Sequence, residues 1–394
     1  MKAPGLSASA TAAPIRARIR DLETQQILQV SQLALGDPRV IPLWYGESDV
    51  ATPDFINRAA VDALAAGQTF YTHKQGIPEL RTALADYTGA LYRIAMPAER
   101  VTVTSSGMTG IMMVMQMLVD AGDNVVVVGP VWPNARSAVD VMGGEPRTVA
   151  LRFGNDGWAL DVDEVMARCD QRTRAIFVNS PGNPTGWMMP RAQQQALLAA
   201  CRARGIWIIA DEVYARIVYD RRAAPSFLEV AEPDDLLIVI NSFSKSWAMT
   251  GWRLGWLTHP LAVGGYLANL VEFNTSGTPA FLQHAGVTAV RQGEALVASM
   301  VERCRTGREV IGRCLAALPR VRYSPPDAAF YAFFAVEGMS NSLEFAKRLV
   351  HEAGVGLAPG TAFGPEGEGF LRLCFARAPE TLQEAADRLA GALR

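Results

Sequence analysis

The sequence contains very little lysine. Of its 37 basic residues only Lys2, Lys74, Lys245 and Lys347 are lysines, and all the others are arginines. Arginine supplies a permanent positive charge, but it does not serve as a primary amine. Because arginine is the usual cation of this chain, a lysine inside a motif indicates that amine chemistry is needed there. Lys245 is such a lysine.

Cysteine and histidine are also rare, and their spacing argues against disulfides and metal sites. The five cysteines are odd in number, lie far apart and form no Cys-x-x-Cys pair: Cys169, Cys201, Cys304, Cys314 and Cys374. This pattern is typical of free thiols in a reducing cytosol. The four histidines are isolated from one another. We therefore predict no metal site.

Other absences limit the class of function. A net charge of -2 and a pI near 6.2 disfavour nucleic acid and anionic membrane surfaces as partners. No apolar run is long enough to span a bilayer. Residues 1–20 are rich in Ala, Ser and Thr, carry arginines and lack acids, and we interpret them as a mobile arm rather than a transit peptide. We expect a soluble, cytoplasmic protein that acts on a small molecule.

Lys245 lies in the stretch Asn-Ser-Phe-Ser-Lys-Ser-Trp-Ala-Met-Thr-Gly-Trp-Arg, residues 241–253. The preceding residues predict a buried strand, and Ser-Phe-Ser is predicted to be the loop that leaves it, where α/β sheets hold their ligands. Only an amine condenses with an aldehyde to a Schiff base, and burial favours its neutral, nucleophilic form. Ser242 and Ser244 could hold an anion. The Ser-Phe-Ser-Lys motif by itself also fits an ordinary strand corner with a surface lysine.

Two further charged residues stand in predicted apolar strands. Asp211 ends the strand that begins near residue 205, where burial is costly unless a positive group meets it. Arg372 lies between apolar neighbours, and its planar guanidinium is suited to bind a carboxylate with two hydrogen bonds. The alternatives are that Asp211 caps a helix and that Arg372 pairs with an internal acid.

A turn of small residues follows the predicted strand Val101–Thr104 and precedes an apolar helix. Free N–H groups and the helix dipole make such a helix start an anion site, here formed by Ser106, Gly107 and Met108. Most turns of this kind only connect elements. Trp132 follows another buried strand and could stack on a flat heterocycle, although core tryptophans are commoner.

The whole stretch around Lys245, Ser-x-x-Lys followed by Met-Thr-Gly-Trp-Arg-Leu-Gly-Trp, strongly resembles the cofactor-lysine segment of the class I aminotransferases. These are fold type I, pyridoxal 5′-phosphate-dependent enzymes that include the aspartate aminotransferases. Other segments resemble the same family in the same order along nearly the whole chain after the arm: Gly46-Glu-Ser-Asp, Tyr71 with Leu80-Arg81, Asn-Pro-Thr-Gly at 183–186, Asp-Glu-Val-Tyr at 211–214, Ala-Phe-Tyr at 329–331, and Arg372.

The resemblance implies roles for many of these residues and places the Ala-Phe-Tyr segment near the substrate. Lys245 would bind pyridoxal phosphate covalently, Asp211 would keep its ring nitrogen protonated, and Trp132 would stack on the ring. Asn183 and Tyr214 would bind the ring oxygen. The phosphate would be bound by several segments and by one residue from the neighbouring subunit: Ser106, Gly107, Met108, Ser242, Arg253 and Tyr71. The substrate carboxylate would be bound by Arg372, beside Gly46 and Asn183.

The implied fold is α/β. A large three-layer α/β/α domain, residues 51–289, would contain a mostly parallel seven-stranded sheet and bind the cofactor. A small α+β domain would combine residues 21–50 with 290–394, after the arm at 1–20. Apolar spacing predicts a helix over residues 21–35 and one long helix from about 282 to 318.

The implied function is transfer of an amino group from an L-amino acid to a 2-oxo acid by a ping-pong mechanism, in a homodimer with shared active sites. The same residues leave open a β-lyase, a decarboxylase, an oxygen-using amino acid oxidase or a non-catalytic binding module. Several positions bear on the donor. Met108, Tyr45 and Trp44 favour an uncharged or aromatic side chain, whereas Arg136, His73 and Lys74 leave an acidic one possible. Met108 stands where some family members with acidic substrates carry lysine, and Ser48 replaces a usual proline.

Overall fold

The computed structural model describes residues 15–393, in which strands and helices alternate over most of the chain. The strands are β1 (Ile41–Pro42), β2 (Val101–Thr104), β3 (Asn124–Gly129), β4 (Glu145–Ala150), β5 (Arg152–Gly154), β6 (Gly157–Ala159), β7 (Thr173–Asn179), β8 (Trp207–Asp211), β9 (Leu237–Ser242), β10 (Gly255–Thr258), β11 (Val321–Arg322), β12 (Tyr331–Val336), β13 (Val355–Gly356), β14 (Ala358–Pro359) and β15 (Phe370–Cys374). The helices are α1 (Ala17–Arg20), α2 (Gln26–Ser31), α3 (Asp54–Ala65), α4 (Pro78–Tyr92), α5 (Gly107–Leu118), α6 (Asn134–Met142), α7 (Val162–Ala167), α8 (Arg191–Arg204), α9 (Phe243–Ser246), α10 (Gly264–Thr275), α11 (Ala280–Gln292), α12 (Glu294–Ala316), α13 (Ser342–Glu352) and α14 (Pro379–Ala392).

Seven strands form the central sheet, in the order β2-β10-β9-β8-β7-β3-β4. β10 runs antiparallel to both of its neighbours, and every other pair is parallel. Successive residues of β3 point to opposite faces, so Val126 and Val128 pack with α7 and α8 whereas Val125 and Val127 pack with α5, α6 and α10. Both faces are therefore covered by helices, as parallel sheets require. The predicted three-layer α/β fold is confirmed.

A second sheet is antiparallel throughout, in the order β11-β12-β15-β14. The apolar core around it joins side chains from residues 27–44 to side chains from residues 300–393. The two ends of the described chain thus share one core. The domain boundaries near residues 50 and 290 stay a prediction. No helix within residues 15–393 is long and apolar enough to cross a membrane.

Two predicted helices are wrong in extent. Of residues 21–35 only Gln26–Ser31 are helical, because Leu22, Leu33 and Leu35 are exposed and give a longer helix no packing surface. The long helix predicted over 282–318 is two helices, α11 and α12, which meet at Gly293. The indole of Trp247 packs against this glycine, and a side chain there would also meet the carbonyl oxygen of Ala289.

Several polar segments meet at one edge of the central sheet. β7, β8 and β9 are parallel and end at Asn179, Asp211 and Ser242. The end of β2 lies at the same edge, because Thr104 pairs with Gly255 of β10, and Gly255 pairs with Ser242. The residues that follow these strands are thereby brought together, which is where open α/β sheets bind ligands.

Candidate active site

A cavity of about 350 Å³ opens at this edge of the sheet. Most of the residues predicted for the site line it: Gly46, Gly107, Met108, Trp132, Asn183, Asp211, Tyr214, Ser242, Lys245, Arg253 and Arg372. Two do not. The side chain of Ser106 is buried at the start of α5, and Tyr71 lies on the protein surface, 88% exposed.

Lys245 lies on the short helix α9, directly after β9, so the prediction of a loop at Ser-Phe-Ser is wrong. The hydroxyl of Ser242 caps this helix by accepting a hydrogen bond from the N–H of Ser244 at 3.0 Å. The amine Nζ of Lys245 donates a hydrogen bond to the carbonyl oxygen of Gly46 at 2.7 Å. Burial lowers the pKa of this amine to about 8. A fraction of it is uncharged at neutral pH, which is the nucleophilic form.

Asp211 ends β8 and is buried, so its carboxyl group has lost most contact with water. The N–H of Val213 donates to its Oδ1 at 3.3 Å, and no basic side chain within residues 15–393 forms an ion pair with it. Burial raises the pKa of this carboxyl group to about 7, partly opposed by the charge of Lys245. A cationic group bound beside Asp211 would favour its ionised form.

The start of α5 lies against strands β9 and β10. The hydroxyl of Ser106 accepts a hydrogen bond from the N–H of Thr109 at 3.1 Å, while the N–H groups of Gly107 and Met108 lie in the first turn, where a helix offers no acceptor. A side-chain carbon on Gly255 would lie 2.6 Å from the nitrogen of Gly107, so only glycine permits this approach. Together with Arg253 on the cavity wall, these groups form a site suited to an anion.

Asn183 connects two groups of the cavity. Its Oδ1 accepts a hydrogen bond from Nη1 of Arg372 at 3.1 Å, and its backbone carbonyl accepts one from the N–H of Trp132 at 3.0 Å. The side-chain nitrogen of Asn183 has no acceptor among the described residues. It is therefore free to donate to a bound ligand.

Arg372 is buried in β15 and has no carboxylate within ion-pair distance in the described chain. One terminal nitrogen donates to Asn183 and the other to the carbonyl oxygen of Trp44, whereas Nε is buried and has no partner among the described residues. The guanidinium lies over the rings of Tyr331 and Phe363, 4.7 and 4.9 Å from their centroids. The alternative of an internal acid partner therefore does not hold for residues 15–393. A buried cation without a counter-ion is suited to bind an anion.

Sequence reasoning missed some cavity residues. Tyr331 lines the cavity with its hydroxyl oxygen 2.7 Å from that of Tyr214, and Leu28 and Ile111 add apolar wall. The family resemblance includes Tyr331 in its Ala-Phe-Tyr segment, but no role was predicted for its side chain, which stands in a run of aromatic residues typical of a core strand. Leu28 belongs to the apolar stripe predicted over residues 21–35, but it is 41% exposed and lines the cavity, which the sequence alone does not show.

The comparison with protein families decides the identity of this site. A family model described as aminotransferase class I and II matches residues 38–389, most of the chain. The chain belongs to this family. The predicted resemblance is thereby confirmed, and so is the prediction of a transaminase that exchanges amino groups between amino acids and 2-oxo acids.

Relatives of this aminotransferase carry several different names. It is 35% identical to the arginine–pyruvate transaminase of Pseudomonas aeruginosa over 353 residues, 89% of each chain. It is 32% identical to an aspartate aminotransferase of Pyrococcus horikoshii over 382 residues, 96% of this chain and 97% of the other. The structure of a Thermus thermophilus aspartate aminotransferase mutant matches with a TM-score of 0.90 at 30% identity, covering 97% of this chain and all of the other.

Proposed function

We propose that this aminotransferase uses pyridoxal 5′-phosphate and takes the amino group from an L-amino acid with an uncharged side chain. The observation that carries the proposal is the amine of Lys245, which is half-buried, partly neutral and 2.7 Å from the carbonyl oxygen of Gly46 at the wall of the cavity. Asp211 and Arg372 line the same cavity without partners of opposite charge among the described residues.

The residues present fit this cofactor. Lys245 offers the amine that an aldehyde requires, and the buried carboxyl group of Asp211 fits a protonated ring nitrogen. The free side-chain nitrogen of Asn183 and the hydroxyl of Tyr214 are donors suited to a ring oxygen. The unpaired N–H groups at the start of α5 fit a phosphate, together with the cavity side chains Ser242 and Arg253. When bound, the cofactor supplies an electron-accepting ring that stabilises the negative charge left when Cα loses its proton.

The protein itself holds the substrate and moves the proton. Arg372 would bind the α-carboxylate, because its Nε is unsatisfied and its charge is not neutralised. Nζ of Lys245 would take the proton from Cα, and a pKa of about 8 suits a general base that must both accept and release a proton near neutral pH. The carbonyl oxygen of Gly46 orients this amine.

The charges of the cavity support an uncharged donor. The cations that line it are Lys245, Arg253 and Arg372, and each has a role in the proposal. The wall left for a side chain is apolar or aromatic: Leu28, Tyr45, Met108, Ile111 and Trp132. Lys74 and Arg136, which could have contacted an acidic donor, do not line the cavity. Lys74 pairs with Glu272, and Arg136 lies 3.8 Å from Glu366.

We also propose a homodimer, as the family resemblance implies. Phe70, Tyr71 and Phe273 are 83%, 88% and 84% exposed. Lys74 connects them, since it lies over the ring of Tyr71 and pairs with Glu272, the neighbour of Phe273. We call these three residues the aromatic patch. Aromatic surface of this kind is typical of protein interfaces. The five cysteines form no disulfide, which supports the cytoplasm as the compartment.

Absorbance spectroscopy of the purified protein with pyridoxal phosphate tests the proposed reaction. Single amino acids are added without any 2-oxo acid. We expect phenylalanine, methionine or leucine to convert the spectrum to that of pyridoxamine phosphate at least about tenfold faster than aspartate, because burying a carboxylate in an apolar wall is costly. A 2-oxo acid should reverse the change.

The matched control uses two lysines. Lys245→Ala should abolish the spectral conversion, whereas Lys347→Ala should leave it intact, because Lys347 pairs with Glu344 on α13. Accumulation of ammonia, carbon dioxide or peroxide in place of a 2-oxo acid would mean that the reaction is not transamination. Faster conversion by aspartate would overturn only the proposed donor class.

A further inference from the structure

Tyr331 touches two groups that the proposed function treats separately. It is fully buried at the start of β12, and its hydroxyl oxygen lies 2.7 Å from the hydroxyl oxygen of Tyr214. The face of its ring lies 4.7 Å from the guanidinium carbon of Arg372. One side chain thus contacts both the tyrosine proposed for the cofactor ring oxygen and the arginine proposed for the substrate carboxylate.

The hydroxyl of Tyr331 has a third contact, with the backbone of Gly46. A side-chain carbon on Gly46 would overlap the hydroxyl oxygen of Tyr331, so the backbone of Gly46 packs directly against it. The carbonyl oxygen of the same glycine accepts the hydrogen bond from Nζ of Lys245. Tyr331 therefore lies between the segments that hold the lysine, the tyrosine and the arginine of the cavity.

The hydrogen-bonding capacity of the two tyrosines sets the direction of the bond between them. Each hydroxyl has one hydrogen to donate. If Tyr214 donates its hydrogen to a bound ring oxygen, the hydrogen between the two tyrosines must come from Tyr331, which has no other acceptor among residues 15–393. Burial raises the pKa of both hydroxyl groups, so both remain protonated donors. Bonds arranged in such a chain strengthen one another.

We propose that Tyr331 is a positioning residue with two separable actions: its hydroxyl donates to Tyr214 and directs that residue towards the cofactor, and its ring holds the guanidinium of Arg372 in place for the substrate carboxylate. This inference rests on the proposed function. The ionisable groups that face the tyrosine pair are Arg372, Asp211, Cys374 and Lys245.

Two substitutions separate the two actions. Tyr331→Phe removes the hydroxyl and keeps the ring over Arg372, whereas Tyr331→Leu removes both. Tyr323→Phe is the matched control, because Tyr323 is also buried in part and its hydroxyl has no hydrogen-bond partner among residues 15–393. Thermal unfolding of each apoprotein shows whether the variants fold, and Tyr323→Phe sets the scale for loss of a buried hydroxyl.

The first measurement is the pH midpoint of the absorbance change of protein-bound pyridoxal phosphate. A donor to the ring oxygen favours the form in which that oxygen carries more negative charge, which is the deprotonated form. Tyr331→Phe weakens this donor through Tyr214, so we expect the midpoint to rise by about 0.5 to 1 pH unit. Tyr331→Leu should raise it equally, and Tyr323→Phe should not change it. An unchanged midpoint in Tyr331→Phe would overturn the first action.

The second measurement needs no cofactor. It is the dissociation constant of the apoprotein for 3-phenylpropanoate, a carboxylate without an amino group, measured by calorimetry. We expect Tyr331→Phe to bind within about twofold of the unchanged protein and Tyr331→Leu to bind about 5- to 30-fold more weakly, as loss of a buried cation–π contact predicts. Equal binding by both variants would overturn the second action. If the unchanged protein forms no covalent complex with pyridoxal phosphate, the proposed function fails, while the carboxylate measurement still tests the ring.

Discussion

Of three ionisable side chains of the cavity, Asp211 and Arg372 are buried and Lys245 is half-buried, and none has a partner of opposite charge within ion-pair distance in the described chain. Burial of unpaired charges costs folding free energy, and the shifted pKa values of Lys245 and Asp211 express that cost. Ligands of matching charge that bind to this set would reduce the cost. These side chains therefore lower the unfolding free energy of the ligand-free protein, and bound cofactor and substrate would raise it again.

Asp211→Asn tests this cost. The folded pKa of Asp211, about 7, lies above the ordinary value of 3.8, so the folded apoprotein binds the proton more tightly than the unfolded chain. Its stability should fall as pH rises from about 4 to 7. We expect Asp211→Asn to make the apoprotein more stable at pH 8 by about 1–4 kcal/mol and to weaken binding of pyridoxal phosphate.

Urea unfolding of the apoprotein at pH 5 and pH 8 measures the difference. The exposed Asp62→Asn is the control and should change the unfolding free energy by less than about 0.5 kcal/mol. If the unchanged protein and Asp211→Asn lost the same unfolding free energy between pH 5 and pH 8, the burial of Asp211 would not be the cause of that loss.

Residue chemistry made part of the site predictable. Lys245 could be found because lysine is rare in this chain and stands there in a motif, and Asp211 and Arg372 because a charged residue in an apolar strand points to a ligand. Tyr331 and Leu28 could not be found in this way, because an aromatic or aliphatic side chain looks the same in a sequence whether it faces the core or a cavity. Only the three-dimensional arrangement shows which face it occupies.

At the scale of elements, the cavity depends on how closely α5 approaches the sheet. A side-chain carbon on Gly255 would lie 2.6 Å from the nitrogen of Gly107 and 2.8 Å from the carbonyl oxygen of Asn241, both backbone atoms that cannot rotate away. Gly255→Ala should therefore displace the first turn of α5, lower stability by about 1–3 kcal/mol and weaken pyridoxal phosphate binding at least about tenfold.

Gly251→Ala is the matched control, since it lies in the same connection and a side chain there meets no atom within 4 Å. Binding is measured by titration of the apoprotein with pyridoxal phosphate and with pyridoxal, which lacks the phosphate. If the first turn of α5 binds the phosphate, Gly255→Ala should weaken binding of pyridoxal phosphate much more than binding of pyridoxal. Equal loss for both ligands would show that the first turn of α5 does not bind the phosphate.

Elements with continuous apolar runs were predicted well from the sequence. β3, β7, β8 and β9 are buried on both faces, so their residues carry an uninterrupted signal. The prediction of a helix over residues 21–35 was wrong in extent, because the spacing of apolar residues does not show whether another element packs against them. The break at Gly293 and the short helix at Lys245 depend on packing against Trp247 and on a cap by Ser242, which are tertiary contacts.

At the scale of the whole molecule, the aromatic patch of Phe70, Tyr71 and Phe273 is the surface that we propose meets a second copy. Phe273→Glu would place a charge in that interface, so we expect it to shift the protein from dimer to monomer at micromolar concentration, measured by sedimentation velocity. Leu35→Glu is the control, because Leu35 is 74% exposed and follows α2, which packs on α13 rather than near α10. It should remain dimeric.

Mixed dimers test whether the two subunits share their sites. Lys245→Ala and Tyr71→Phe should each have low activity alone, the first for lack of the amine and the second for lack of a phosphate ligand from the neighbouring subunit. When the two variants are mixed and allowed to exchange subunits, the site that contains Lys245 would receive an unchanged Tyr71 from its neighbour, so activity should return in that site. If instead Tyr71 served its own subunit, each mixed dimer would contain two defective sites and mixing would restore nothing. Recovery on mixing would thus assign Tyr71, which lies outside the cavity of its own chain, to the cavity of the other.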